Sequence, residues 1–199
     1  DGVFNHTSSD SIYFDRYSRY PRDGAYESEG SLYYDWYTFF TWPDSYNSWW
    51  GFTSLPVLTE IQAVRDFIYG PDRSVGRWWL EHGAAGWRLD VAPDKSHSFW
   101  QGFRPSIKAV DPDAVIIGEI WDDASAWLLG DELDTTMNYR FRRALIGFLN
   151  GDTTDPNQGF VRGLNPDQFD SALQSIEEDY PTPAFQAAIT IPAKLIGAS

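Results

Sequence analysis

Two acidic residues, Asp90 and Glu119, occur in settings where a carboxylate can do chemistry. Asp90 lies in the segment GWRLDV at 86–91, and Glu119 lies in the segment AVIIGEI at 114–120. Each segment is predicted to form a short buried strand, and one predicted helix joins the two. Because ligands of parallel α/β folds bind at the C-terminal ends of the strands, we expect both carboxylates at one functional site.

The expected distance between these two carboxyl groups favours one kind of reaction. Neighbouring strands lie about 4.8 Å apart, so carboxyl groups at equal height on neighbours should approach to roughly 5 Å. A retaining glycosidase needs a separation of about 5 to 5.5 Å, whereas an inverting glycosidase needs about 6.5 to 9.5 Å to admit a water molecule. The spacing therefore favours a retaining glycosidase.

The neighbours of the two carboxylates indicate different roles for them. Arg88 lies two residues before Asp90, so both side chains leave the strand on one face. A guanidinium beside a carboxylate keeps it ionised and aligned, which suits a nucleophile. Glu119 is flanked by isoleucines and Trp121, a drier setting that is expected to raise its pKa and let it carry a proton. The alternative is purely structural: a buried ion pair and a capping glutamate.

A third cluster, DGVFNH at 1–6, precedes both carboxylates. His6 could donate to a sugar hydroxyl, and Asn5 could offer a carbonyl oxygen to a hard cation such as calcium. A histidine beside an asparagine is more often a hydrogen-bonded loop anchor, and that alternative stays open. The sequence has no GxSxG, P-loop, GxGxxG or HExxH motif, so serine-hydrolase, nucleotide-binding and zinc-protease functions lack support.

The elements that must position these residues follow from the hydrophobic pattern. Apolar periodicity and capping signals predict helices and strands in alternation: helices at 60–69, 73–82, 98–110, 139–149 and 167–179, and strands at 86–91, 114–120 and 135–138. Pro105 falls inside the third helix and is expected to kink or split it, and 150–165 is predicted to be a loop. Such alternation indicates parallel βαβ units, which fit either a doubly wound sheet or a barrel.

The stretch 13–52 holds sixteen aromatic residues, interleaved with Asp, Ser, Gly and Pro and without helical or strand periodicity. These rings either anchor a long loop to a small core of its own or form stacking platforms for sugars. The two functions can coexist, because aromatic faces both pack and bind.

Composition excludes several classes of protein. The chain has 15 Lys and Arg against 29 Asp and Glu, a net charge of −14, which argues against a nucleic-acid partner. The longest apolar stretch, at 114–117, falls far short of the roughly 20 residues that span a membrane. The absence of cysteine removes disulfides and thiolate chemistry, but leaves the compartment open between extracellular and cytoplasmic.

Three motifs in order give the chain a family resemblance. DGVFNH at 1–6, GWRLD at 86–90 and GEIW at 118–121 resemble the first, second and third signature regions of the α-amylase family, glycoside hydrolase family 13. The segment WWGFTSLPVL at 49–58 is similar to the one that precedes the fourth barrel strand in neopullulanase-like and amylopullulanase-like members. The resemblance covers nearly the whole chain.

The resemblance implies a fold and an activity. The implied fold is α/β: residues 1–199 form a partial TIM (β/α)8 barrel, from the third to about the seventh strand, with 7–55 as a long aromatic-rich loop excursion after the third barrel strand. Asp90 would be the nucleophile and Glu119 the acid/base, with His6, Arg88 and Trp121 contacting an α-glucan such as starch, pullulan or maltodextrin. No cofactor would be required, although calcium is possible.

The sequence also departs from the family pattern. The fourth signature, a His-Asp pair after the seventh strand, has no counterpart in 189–199, and strands one, two and eight are missing. We count four candidate barrel strands, with a possible fifth near Phe185, so we expect a fragment that is neither stable nor active alone. The competing hypotheses are a non-catalytic carbohydrate-binding or interaction protein on this scaffold and, more distantly, a metal-dependent hydrolase using His6, Asp90 and Glu119.

Overall fold

The computed structural model describes residues 1–156 and 159–189. The chain forms two compact units, Asp1–Ala114 and Val115–Ser199. Among the described residues, no helix has the length and apolar character needed to cross a bilayer.

The first unit contains three short strands and three helices. Its elements are β1 (Phe39–Thr41), β2 (Ser45–Tyr46), α1 (Gln62–Tyr69), α2 (Val75–Glu81), β3 (Gly86–Leu89) and α3 (His97–Lys108), with 3-10 turns at Tyr34–Trp36, Trp49–Gly51 and Ala92–Asp94. The predicted helices at 60–69, 73–82 and 98–110 and the predicted strand at 86–91 are confirmed, with ends that differ by at most two residues.

The start of the chain pairs in parallel with β3. Gly2 forms a parallel bridge with Leu89: its N–H donates to the Arg88 carbonyl at 2.7 Å, and its carbonyl accepts from the Asp90 N–H at 3.1 Å. A Cβ at residue 2 would lie 2.7 Å from Phe4 Cε2, so this close approach requires glycine. The candidate strand near Asp1 is therefore a single bridge, which fixes its register beside β3.

Helix α3 runs without interruption through Pro105, so the expectation that this proline splits the helix is wrong. The buried face of α3 includes Phe103 and Ile107 on either side of the proline, whereas Pro105 itself faces solvent. Ser96 caps the helix by accepting from the Phe99 N–H at 3.2 Å. Packing on one face thus holds the helix together where a backbone donor is missing.

The aromatic stretch builds a small core of its own around Phe14. The Phe14 side chain is fully buried, and its ring lies 4.8 Å from that of Tyr37 and 4.7 Å from that of Tyr46. The stretch also leaves and returns at one place, since Thr7 N–H donates to the Pro56 carbonyl at 3.0 Å. Other rings of the stretch stay exposed: Tyr17, Tyr20, Phe40, Trp50 and Phe52.

The second unit again alternates strands with helices. Its elements are β4 (Val115–Gly118), β5 (Thr135–Thr136), α4 (Tyr139–Asn150), β6 (Thr153–Asp155), β7 (Gly159–Val161), α5 (Pro166–Asp179) and α6 (Thr182–Ile189). β4 and β5 pair in parallel, with Ile117 opposite Thr135 and Gly118 opposite Thr136. The predicted parallel arrangement is confirmed here, and the apolar, β-branched residues of β4 explain why it forms a buried strand.

Two predictions for this unit are wrong. The predicted loop at 150–165 contains the antiparallel pair β6 and β7, with Thr154 opposite Phe160; threonine, phenylalanine and valine favour strands, and Val161 is buried. Phe185 lies in α6 rather than in a fifth strand, because its N–H donates to the Pro181 carbonyl at 2.9 Å and its neighbours are good helix formers. Residues 190–199, where the missing fourth signature was noted, lie outside the described residues.

The core around Phe14 should be a major source of stability for the first unit. We expect Phe14→Ala to lower the free energy of unfolding by about 3 to 5 kcal/mol, because it removes a fully buried ring from a cluster of rings. Urea denaturation of the full-length protein measures this. Phe40→Ala is the matched control: its ring is 69% exposed, so the change should stay within about 0.5 kcal/mol. Equal losses for the two variants would contradict the assignment of the core.

Candidate active site

Asp90 stands directly after β3, and Arg88 holds it. The Arg88 Nη1 atom lies 2.5 Å from Asp90 Oδ1 and 3.0 Å from Asp1 Oδ1. Both partners of the closer pair are partly exposed, so the guanidinium orients a carboxylate that remains open to a ligand. The sequence predicted the contact between Arg88 and Asp90; the second carboxylate, from Asp1, was missed.

The backbone turns sharply immediately after this carboxylate. Val91 has φ +38°, a left-handed conformation that is rare for a β-branched residue, and a 3-10 turn follows at Ala92–Asp94. Such strain persists only where the surrounding structure enforces it, and it concentrates at functional sites. β3 ends at Leu89 and this turn follows Asp90, and the charges of Asp94 and Lys95 beyond it act on His6.

His6 is buried beside Asn5 and stacks on an indole. The Asn5 Nδ2 and His6 Nδ1 atoms lie 3.4 Å apart, and the imidazole centroid lies 5.3 Å from that of Trp49, with the planes inclined by 25°. Burial lowers the pKa of His6 below its usual 6.5, while the negative charges of Asp90 and Asp94 oppose that shift. The structure therefore brings His6 into the electrostatic field of Asp90, as a predominantly neutral imidazole at pH 7.

Two further residues of the first unit hold this arrangement in place. Trp49 Nε1 donates to Asp94 Oδ2 at 2.8 Å. The Lys95 ammonium is buried and donates to the Leu58 carbonyl at 2.6 Å, and burial lowers the pKa of Lys95 to about 8. Both contacts connect the loop after β3 to the segment at 49–58. Sequence reasoning missed them, because no local pattern connects residues so far apart.

Glu119 follows β4 in the second unit and accepts two hydrogen bonds on one oxygen. Trp121 Nε1 and Tyr139 Oη each donate to Glu119 Oε1 at 3.3 Å. Tyr139 begins α4, and Asn138, in a left-handed conformation, caps that helix by accepting from the Phe141 N–H at 3.2 Å. Trp121 was predicted to contact substrate; the structure places its indole N–H on Glu119. Tyr139 was missed by sequence reasoning.

The structure thus places the predicted residues in two groups. In the first unit, Asn5 contacts His6, Arg88 binds Asp90, and the charge of Asp90 acts on His6; in the second unit, Glu119 accepts from Trp121. Each group offers one oriented carboxylate that follows a parallel strand. A carboxylate held by arginine can act as a nucleophile, and one held by neutral donors can exchange a proton.

Asn5 is the residue that the sequence suggested as a calcium ligand. Calcium prefers about 6 to 8 oxygen ligands. In the part of the chain that the structure describes, no group of three or more His, Asp or Glu residues lies close enough to hold a metal ion. The amide nitrogen of Asn5 is directed to His6, and the calcium site stays a prediction.

A family model establishes which class of protein this is. The model for the alpha amylase catalytic domain matches residues 1–190. The chain therefore belongs to the alpha-amylase family, and its α/β fold is part of the TIM-barrel type of that catalytic domain. The resemblance expected from the three motifs is confirmed.

Within the family, the chain is similar to several named enzymes. The chain is 41% identical to an amylopullulanase of Thermoanaerobacterium saccharolyticum over 96% of its length, and 35% identical to neopullulanase 2 of Thermoactinomyces vulgaris over 93%. Its structure is similar to that of the Nostoc punctiforme debranching enzyme, with a TM-score of 0.79 and 30% identity over 91% of the chain. The chain spans 16% of that amylopullulanase, 32% of that neopullulanase and 38% of the debranching-enzyme chain.

The burial of His6 and the charges around it predict the direction in which its pKa shifts. We expect NMR titration of the full-length protein, labelled on histidine nitrogen, to give a pKa of His6 below 6.5. Asp94→Asn should lower this pKa further, because it removes a negative charge that favours the protonated ring.

His6→Gln identifies the His6 signal by its loss. Asp72→Asn, an exposed acidic residue between α1 and α2, is the control and should leave the pKa of His6 unchanged. A pKa of His6 at or above 6.5, or a rise in Asp94→Asn, would show that the burial and charges described here do not act on this ring.

Proposed function

We propose that this chain carries the nucleophile and the acid/base of a retaining α-glucan hydrolase. The observation that carries the proposal is the ion pair of Arg88 with Asp90 directly after a parallel strand. This pair holds a carboxylate ready for attack on carbon rather than for proton exchange. Membership of the alpha-amylase family and the glycosidase names of the relatives support the same reaction class.

In the proposed mechanism, Asp90 attacks the anomeric carbon of a glucose unit and the glycosidic bond breaks. Glu119 gives its proton to the departing oxygen, and the sugar stays bound to Asp90 as an ester. Glu119, now ionised, removes a proton from a water molecule, and the resulting hydroxide attacks the same carbon and releases Asp90. Two inversions give net retention of configuration. No cofactor takes part in either step.

The contacts of the other site residues suit these two steps. Arg88 keeps the Asp90 carboxylate oriented, and we expect His6, as a neutral imidazole, to donate to a sugar hydroxyl. Trp121 and Tyr139 fix one oxygen of Glu119, so that its carboxyl plane is held while the proton moves. Trp121 is 43% exposed, which supports the proposal that its indole also contacts the substrate.

We propose α-1,4 and α-1,6 glucosidic bonds of starch, pullulan or maltodextrins as the substrates. The names amylopullulanase, neopullulanase and debranching enzyme among the similar proteins support this range. We also propose that the described part of the chain corresponds to the third to the sixth strand of the barrel, with 7–55 as an excursion after the third; Phe185, which lies in α6, supplies no seventh strand. The contact between Thr7 and Pro56, which closes that stretch at its base, supports the excursion.

Product stereochemistry tests the proposal. NMR of a fresh maltodextrin digest by the full-length protein should show α-configured new ends, unchanged when EDTA is added. Asp90→Asn and Glu119→Gln should each lower kcat by several orders of magnitude while glucan binding stays measurable, because stacking on aromatic rings needs neither carboxylate. Asp72→Asn should match the parent. Inverted products, or full activity without either carboxylate, would contradict the proposal.

A further inference from the structure

Three aromatic rings of the first unit form a stack that starts at the candidate site. The Trp49 ring lies 5.3 Å from the His6 ring, and the Trp50 ring lies 5.1 Å from that of Trp49, with interplanar angles of 25° and 17°. The Trp49 indole is fixed by its hydrogen bond to Asp94. Trp50 is therefore attached to a rigid support beside a buried site histidine.

The backbone conformation of Trp50 and the exposure of its side chain are both unfavourable for the stability of the fold. Its backbone has φ +50°, a left-handed conformation that bulky residues rarely adopt, and Gly51 follows with φ +79°. Its side chain is nevertheless 68% exposed, so a large apolar surface faces water. A strained backbone that displays an apolar ring opposes stability on two counts, and such conflicts concentrate where a protein binds something.

The chemistry of this surface selects a neutral, ring-shaped ligand. An indole face is apolar and flat, and it packs against other flat apolar faces. Phe52 extends the surface, since its ring lies 6.5 Å from that of Trp49 and its side chain is 55% exposed. Asp94 adds a negative charge at the base of the stack, within a chain of net charge −14, which disfavours anionic ligands.

We propose that Trp50, supported by Trp49, is a stacking platform for a glucose ring of the α-glucan chain, away from the bond that is cleaved. This inference rests on the proposed function, because that function supplies the glucan. The platform gives longer chains an additional contact that short substrates cannot reach. Trp50 is thus a residue that determines preference for chain length and takes no part in the chemical steps.

Kinetics on substrates of two lengths test the platform. In the full-length protein, Trp50→Ala should raise KM for maltohexaose about five- to tenfold with kcat unchanged, the loss expected for one aromatic contact. Values for a short chromogenic maltoside should stay at those of the parent. Trp50→Phe, which keeps an aromatic face, should recover most of the maltohexaose KM.

Phe40→Ala is the matched control, because Phe40 is 69% exposed in the same aromatic stretch but does not belong to the stack. It should leave both substrates unaffected. A lower melting temperature of Trp50→Ala with unchanged KM for maltohexaose would overturn the proposal and make Trp50 a structural contact. An equal KM increase for the short substrate would also overturn it.

Calorimetric titration of maltohexaose into Glu119→Gln separates this proposal from the proposed function. Adding Trp50→Ala to that variant should weaken binding by the same factor, although no catalysis occurs. If the parent cleaves no α-glucan, the proposed function fails. If it cleaves them and Trp50→Ala leaves both KM and binding unchanged, only the platform fails.

Discussion

The pairing of Gly2 with β3 is the constraint on which the first unit's site depends. Two backbone hydrogen bonds join Gly2 to Arg88 and Asp90, and no side chain fits at residue 2. This register places the Asp1 carboxylate against Arg88 on one side of the bridge. It also carries the chain past the end of β3, where His6 comes under the influence of Asp90. A slip of one residue would reverse which face each side chain occupies.

The aromatic stretch and the residues that follow it also stabilise this arrangement, although they are not part of β3. Its core around Phe14 fixes a long segment that is poor in regular structure, and its end pairs with residues around Asn5, whose carbonyl accepts from the Leu58 N–H at 2.9 Å. Lys95 then ties Leu58 to the loop after β3. The segment therefore holds the first signature region, DGVFNH at 1–6, in position, and it also supplies exposed aromatic rings.

Much of the fold could be predicted from the sequence, because apolar periodicity reflects which face is buried. The strand at Gly86–Leu89 and the helix at Tyr139–Asn150 both follow from it. The errors have particular causes. Packing of Phe103 and Ile107 overrides the proline in α3, and the short β6–β7 pair gives too few residues for a periodic signal. Phe185 was predicted to lie in a strand, but helix-forming neighbours surround it.

The candidate site could be predicted only where its contacts are local or carried by a motif. Arg88 and Asp90 are two residues apart, so strand geometry alone predicts their contact. Tyr139 contacts Glu119 across 20 residues, and Trp49 contacts Asp94 across 45. Tertiary structure alone brings such pairs together. The residues that hold the acid/base and support the ring stack are therefore those that sequence reasoning missed.

The central claim is that Asp90 forms a covalent bond to the sugar, and trapping that bond tests it most directly. A fluorinated glucosyl fluoride slows the second step more than the first, so the ester should accumulate in the full-length protein. Mass spectrometry of a protease digest is predicted to show the added sugar on Asp90, within the GWRLDV segment at 86–91. A label on another residue, or turnover of the reagent with no covalent species, would contradict the account.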